Sequence, residues 1–172
     1  MDEHTLSLNK GDNLPESDKV YRIVLIKDRD KKNKNIPAVR CFSLSNNDEH
    51  KLSVDWNKMT SPEESLARFG ASFKFGTEEY KPYENRETYA LDVSFLNSLS
   101  KVEKVVYDPL FFDTTLKGRI NNPAHSLIVF EQEYDNDPEI LLKMRDHASN
   151  NKIQIDMQKV DKLVKIYRER QN

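Results

Sequence analysis

The chain has 172 residues, of which 37% are hydrophobic and 33% charged, and its 27 basic and 29 acidic residues give a formal net charge of −2. This length suffices for one folded domain with a substantial core. A charge this close to neutral provides no overall field that would attract nucleic acid or anionic lipid, so we expect neither as a partner. The single cysteine, Cys41, excludes an internal disulfide and a cysteine-rich zinc site.

Residues 1–19 are polar and contain Gly11 and Pro15, which predicts a flexible N-terminal arm followed by a single domain over residues 20–172. The N-terminal sequence has no basic region followed by an apolar core, and the longest apolar runs are too short to span a membrane. We therefore expect a cytoplasmic protein. No glycine-rich phosphate-binding motif is present, and no cofactor is predicted.

The first half of the chain predicts three β-strands and one short helix. The strands are rich in β-branched and aromatic residues and cover residues 20–27, 37–44 and 51–56. Ser61, Pro62 and Glu64 form the pattern of a capping box with proline in the first helical turn, and Gly70 is predicted to end this helix. A further short strand is predicted over residues 71–75.

The second half predicts two more strand regions and two C-terminal helices. Apolar residues alternate over residues 88–95, which predicts a half-buried strand before a helical turn at 96–101. Apolar residues at helical spacing predict helices over 137–148 and 156–170. The fold class is therefore α+β: a mostly antiparallel sheet with one short inserted helix and two C-terminal helices.

The stretch between residues 103 and 133 reads as a strand, a long loop and a second strand. Asp108 ends the first strand and His125 begins the second, so antiparallel pairing would bring them together. A carboxylate that fixes the tautomer of an imidazole is an arrangement used in general-base catalysis, which makes His125 and Asp108 candidate catalytic residues. The alternative is structural, because a histidine beside Asp-Pro and Asn-Pro turns often satisfies loop carbonyl groups.

Arg22 and Arg40 are the candidate substrate-binding residues. In a hairpin of the first two strands they would lie on the same face, where two guanidinium groups can bind a phosphate or carboxylate. The alternative is that each arginine pairs with a nearby acidic side chain such as Asp92 or Glu103. The acidic turn around His50 has no defined ligand spacing, so no metal site is predicted.

Two classes of function remain open. The first is an accessory or protein-binding domain without catalytic activity, which would contact another protein or a second copy of itself through the helix at 156–170. The second is a small hydrolase or transferase acting on an anionic substrate, with His125 as base, Asp108 orienting it, and Arg22 and Arg40 as the anion clamp. The absence of any familiar catalytic motif favours the first class.

Overall fold

The computed structural model describes residues 8–45, 48–112 and 117–171. Six strands occur in chain order: β1 Lys19–Leu25, β2 Lys51–Trp56, β3 Arg86–Asp92, β4 Val102–Tyr107, β5 His125–Phe130 and β6 Lys152–Ile153. They form one sheet in the order β4-β5-β2-β1-β3-β6, and every neighbouring pair is antiparallel. The antiparallel pairing of β4 with β5 confirms the strand, loop and strand predicted between residues 103 and 133.

In the described part of the chain, four α-helices and one short 3₁₀ helix accompany the sheet. They are α1 Pro62–Ala71, α2 Val93–Asn97, α3 Pro138–Asn150, α4 Met157–Glu169 and the 3₁₀ helix Val39–Phe42. The predicted α+β class, with a helix inserted midway and two helices near the C-terminus, is therefore confirmed. No helix within the described ranges has the length and apolar composition needed to cross a bilayer.

The local signals for helix starts are confirmed at each long helix. The Ser61 hydroxyl accepts a hydrogen bond from the backbone of Glu64, and the Glu64 carboxylate accepts one from the backbone of Ser61. Asp137 and Asp156 cap α3 and α4 in the same way, each accepting from two backbone N–H groups. These caps satisfy donors that have no partner inside the helix, which is why the starts could be located from sequence.

The two faces of the sheet bury different helices because side chains alternate along each strand. One face carries Val20 and Val24 of β1, which pack with α2, α3 and the 3₁₀ helix into the main core. The opposite face carries Ile23 of β1 beneath α1 and α4, whose apolar sides form a second, smaller cluster around Leu66 and Val160. The helices α1 and α4 therefore cover the second face of the sheet around Ile23.

Three details of the predicted order are wrong. Residues 37–44 form no strand: Val39–Phe42 is a 3₁₀ helix, because where β1 leaves β2 beyond Tyr21 the Arg22 side chain enters the gap and donates to the Cys41 carbonyl in place of a backbone ladder. Residues 71–75 contribute only an isolated bridge from Phe73, and Gly70 lies inside α1. The strand predicted to reach residue 95 ends at Asp92, where α2 begins.

Part of the segment assigned to an N-terminal arm is attached to the sheet edge. Backbone hydrogen bonds join Gly11 and Leu14 to β4, and the Leu14 side chain is buried in the main core. Asp18 is also buried and accepts a hydrogen bond from Trp56 Nε1 at 2.9 Å. Residues 8–18 thus contribute to the folded body, while residues 1–7 lie outside the described part of the chain.

Candidate functional site

A cleft with a volume of about 820 Å³ opens where β1 and β2 separate. These strands pair at only two positions, of which Tyr21 with Asp55 is the last before they diverge. The floor is lined by residues 21–23 of β1 and 53–55 of β2, together with Asn122 and His125. The incomplete pairing of two central strands therefore provides the concave surface that the sheet would otherwise lack.

The walls of the cleft come from α1 and from the loops around Phe73 and Gly118. The two loops are joined, because the backbone N–H of Phe73 donates to the Gly118 carbonyl at 3.0 Å. The Gly118 N–H in turn donates to Gln171 Oε1 at 2.7 Å, which ties this wall to the C-terminal end of the described chain. Gly118 has φ +72, and a Cβ there would lie only 2.1 Å from the Phe73 ring, so both its backbone angle and its contact require glycine.

The charged side chains that line the cleft are predominantly basic. The basic lining residues are Arg22, Arg68, Lys74, Lys81, Lys117 and Arg119. Among the described lining residues only Asp55 and Glu78 carry carboxylates, and both oxygens of Asp55 already accept hydrogen bonds, from Ser65 and from Asn122. The cleft thus concentrates positive charge in a chain whose formal net charge is −2.

Two of these cations lie against aromatic rings and pair with no described carboxylate. The Lys81 ammonium lies 5.0 Å from the centre of the Phe69 ring, and the Arg119 guanidinium lies 5.4 Å from the centre of Phe112. Burial lowers the pKa of Lys81, and the positive charges of Arg119 and Arg86 lower it further. Since a ring face does not neutralise a cation, the N–H donors of Lys81 and Arg119 stay available to a ligand.

The predicted meeting of His125 and Asp108 is present at the rim of this cleft. His125 Nδ1 lies 2.7 Å from the Asp108 carbonyl oxygen and 3.5 Å from its carboxylate. A carbonyl oxygen only accepts, so the hydrogen of the neutral imidazole is on Nδ1 and the lone pair is on Nε2. The same contact is the carbonyl satisfaction that the structural alternative predicts. Asp108 also pairs with Lys10 at 2.9 Å and does not line the cleft, whereas His125 does.

The two arginines predicted to act as a clamp lie in different places. Arg22 lines the cleft, but its guanidinium is committed to backbone carbonyls: it donates to Ser53 at 2.9 Å and, through two N–H groups, to Cys41. Arg40 is on the 3₁₀ helix, does not line the cleft, and donates to Asp28 at 2.6 Å. Arg40 thus pairs with a nearby carboxylate, as the structural alternative predicts, but the partner is Asp28 and not Asp92 or Glu103.

The acidic turn before β2 is separate from the cleft. The backbone of Glu49 and His50 adopts positive φ angles, and the Asp48 carboxylate accepts from the backbone of Ser45. Asp55 lies further along β2, among its cleft partners. Within the described ranges, no group of three or more histidine, cysteine or acidic side chains is placed to hold a metal ion.

Sequence reasoning identified two of the residues that line the cleft, His125 and Arg22, and missed its main cationic groups. Arg68 is on α1, while Lys81 and Arg119 are on loops far apart in sequence, so no periodic pattern links them. Comparisons of the chain with known protein families, with curated proteins and with solved structures find no match. The function must therefore be inferred from the cleft itself.

Proposed function

We propose that this chain is a binding domain without catalytic activity, and that it captures an anionic ligand in the cleft between β1, β2 and α1. The observation that supports the proposal is the described lining of the cleft, with six basic side chains against two acidic ones; Asp55 is already engaged, and Lys74 pairs with Glu79. Grouping like charges around one concavity is unfavourable in the absence of a counter-charge. A bound anion would remove that cost.

Lys81 shows where in the cleft a counter-charge is missing among the described residues. Its ammonium is half-buried beside Phe69, with Arg119 and Arg86 as the neighbouring charges that lower its pKa. Within the described residues no carboxylate lies within ion-pair distance of Lys81 or Arg119. A phosphate or carboxylate placed between them would accept charge-assisted hydrogen bonds from both.

The size of the cleft suits a small molecule or one group of a larger partner. Its 820 Å³ falls within the range of about 300 to 1,000 Å³ that is usual for ligand pockets. The apolar rings of Phe69, Phe73 and Phe112 line it together with the cations. This combination of apolar walls with a few convergent polar groups is typical of ligand sites.

Calorimetric titration with inorganic phosphate, pyrophosphate and citrate at low salt tests the proposal. We expect pyrophosphate to bind, and Lys81→Gln to weaken it about tenfold or more, because hydrogen bonds to charged groups contribute about 1.5 to 3 kcal/mol. Lys143→Gln is the matched control, since Lys143 is on α3, pairs with Glu139 and does not line the cleft. Binding of none of the three anions, or equal binding by both variants, would refute the proposal.

A second candidate function is favoured by one observation, the position of His125. Its Nδ1 hydrogen is used by Asp108, no described group bonds to Nε2, and the side chain lines the cleft. His125 Nε2 would then accept a proton from water or from a substrate hydroxyl, while Lys81 and Arg119 replace Arg22 and Arg40 as the groups that bind the anion. This is the hydrolase or transferase alternative with a different clamp.

Turnover separates the two functions. If the chain is an enzyme, it will hydrolyse activated phosphate or carboxylate esters, and His125→Gln will lower the rate by about 10² to 10⁴, the usual contribution of a general base. If the chain is a binding domain, it will show no turnover, and His125→Gln will still bind pyrophosphate. Circular dichroism of the variant confirms that its fold is retained.

A further inference from the structure

Phe75 is the most exposed large apolar side chain in the described residues, with 95% of its surface accessible, and it lines the cleft. It is held on an ordered turn: the Lys74 N–H donates to the Glu79 carbonyl at 2.8 Å, and the two side chains form an ion pair at 2.7 Å. The Thr77 N–H also donates to the Lys74 carbonyl at 3.1 Å. The turn therefore presents a phenylalanine to solvent in a fixed position, beside a group of cations.

The other rings with cations nearby are already covered. Lys81 and Arg86 lie over Phe69, and Arg119 lies over Phe112. Phe75 makes no ring or cation contact with any described residue. Its two faces are thus available to a flat ligand group.

We infer that the ligand of this cleft is a nucleotide, whose phosphate binds between Lys81 and Arg119 and whose base stacks on Phe75. This inference rests on the proposed function and specifies its ligand. A nucleotide is the common biological group that joins a phosphate to a flat aromatic ring, and a basic groove beside an aromatic platform is how proteins bind it without reading sequence. The unit is supplied either by a free mononucleotide or by a single strand of nucleic acid.

An anionic membrane surface fits less well. Insertion into a bilayer needs several apolar side chains on one side of the molecule. The exposed large apolar residues in the described chain besides Phe75 and Phe111 are Ile26, Leu142 and Ile166, and these follow β1 or lie on α3 and α4. A single cleft lined by one exposed ring and several cations favours a nucleotide.

Fluorescence polarisation with a fluorescein-labelled thymidine decamer, combined with calorimetry using a mononucleotide and pyrophosphate, tests the inference. We expect the nucleotide to bind about tenfold more tightly than pyrophosphate, the order of one base–aromatic stack. Phe75→Leu and Phe75→Ala should remove this gain, while Phe75→Trp should keep it. Phe111→Leu is the matched control, because Phe111 is 68% exposed but does not line the cleft.

The outcomes distinguish a free nucleotide from a single strand, and they distinguish failure of this inference from failure of the proposed function. A decamer that binds far more tightly than the mononucleotide, with strong salt dependence, supports a single strand; equal affinities support a free nucleotide. Pyrophosphate binding that depends on Lys81, with no gain from the base and no effect of Phe75→Leu, overturns the inference and leaves the proposed function standing. Binding to phosphatidylserine vesicles without binding to nucleotides also overturns it, and binding of neither anion nor nucleotide overturns both.

Discussion

Replacing Gly118 by alanine should destabilise the protein more than the same replacement at Gly76, and the difference measures one contact at the cleft. Both glycines have nearly the same backbone angle, φ +72 at Gly118 and φ +73 at Gly76. An added Cβ at Gly76 meets nothing within 4 Å, whereas at Gly118 it would lie 2.1 Å from two carbons of the Phe73 ring. Gly76→Ala therefore isolates the backbone cost, and Gly118→Ala adds the collision.

The magnitudes follow from these two terms. A left-handed conformation costs an ordinary residue about 1 to 2 kcal/mol, which is the whole expected loss for Gly76→Ala. Displacing a packed ring adds about 1 to 3 kcal/mol, so Gly118→Ala should cost about 2 to 5 kcal/mol. The Phe73 ring is not free to swing away, because it packs edge-on against Tyr80 with 4.8 Å between ring centres.

Urea unfolding followed by far-ultraviolet circular dichroism measures both losses under the same conditions. Pyrophosphate affinity provides a second reading, because Phe73 and Gly118 are joined by a backbone hydrogen bond in the cleft wall. We expect Gly118→Ala to weaken binding, because displacement of the Phe73 ring moves this wall. Equal free-energy losses for the two variants would show that the Phe73 contact does not constrain this wall.

Two predictions concern the stability of the body. Glu87→Gln should lower the free energy of unfolding at pH 7 by about 1 to 3 kcal/mol, and the loss should be smaller at pH 3. Burial favours a higher pKa for the Glu87 carboxyl, but hydrogen bonds from Lys152, Tyr89 and Arg29 outweigh it and lower the pKa. The stabilisation is therefore present above the unfolded pKa and is lost as the pH falls through the folded pKa. Urea unfolding at the two pH values checks this, and a loss that is equal at both would contradict it. Trp56→Phe should lower the free energy of unfolding by about 2 to 4 kcal/mol, because it leaves the buried Asp18 carboxylate without its indole donor. Much of this loss should be absent when the same change is made in an Asp18→Ala background. Additive losses for the two changes would show that the hydrogen bond does not contribute to stability.

Local patterns predicted the elements of this fold where neighbouring residues decide the structure. The capping box at Ser61 predicted the start of α1, because a cap is satisfied inside its own turn, and the spacing of apolar residues placed α3 and α4 to within about two residues. The pairing of β4 with β5 could also be predicted from the sequence, since the β-branched residues of both strands flank a single loop. The meeting of His125 and Asp108 followed from that pairing.

The error at residues 37–44 shows where local reasoning fails. The apolar residues there are typical of a strand in composition, yet β1, the partner that a hairpin would need, pairs with β3 along its whole length and with β2 at Val20 and Tyr21, beyond which Arg22 enters the gap. The second neighbour of β1 is β3, about 65 residues further along the chain, and no local signal indicates that pairing. The segment therefore lies over the sheet, where the Cys41 N–H donates to the Ala38 carbonyl within a 3₁₀ turn. The arginine clamp was inferred from the missing hairpin and depended on it.

Arg22 explains how a cleft can exist between two central strands at all. Where β1 and β2 diverge, strand carbonyl groups lose their ladder partners, and a buried unpaired carbonyl is costly. The Arg22 guanidinium enters this gap and donates three N–H groups, one to Ser53 and two to Cys41, while burial lowers its pKa. Because those donors are committed, Arg22 would contribute positive potential to the proposed anion site and leave direct contacts with an anion to Lys81 and Arg119. The residue predicted to bind an anion thus satisfies the carbonyl groups at the gap between β1 and β2.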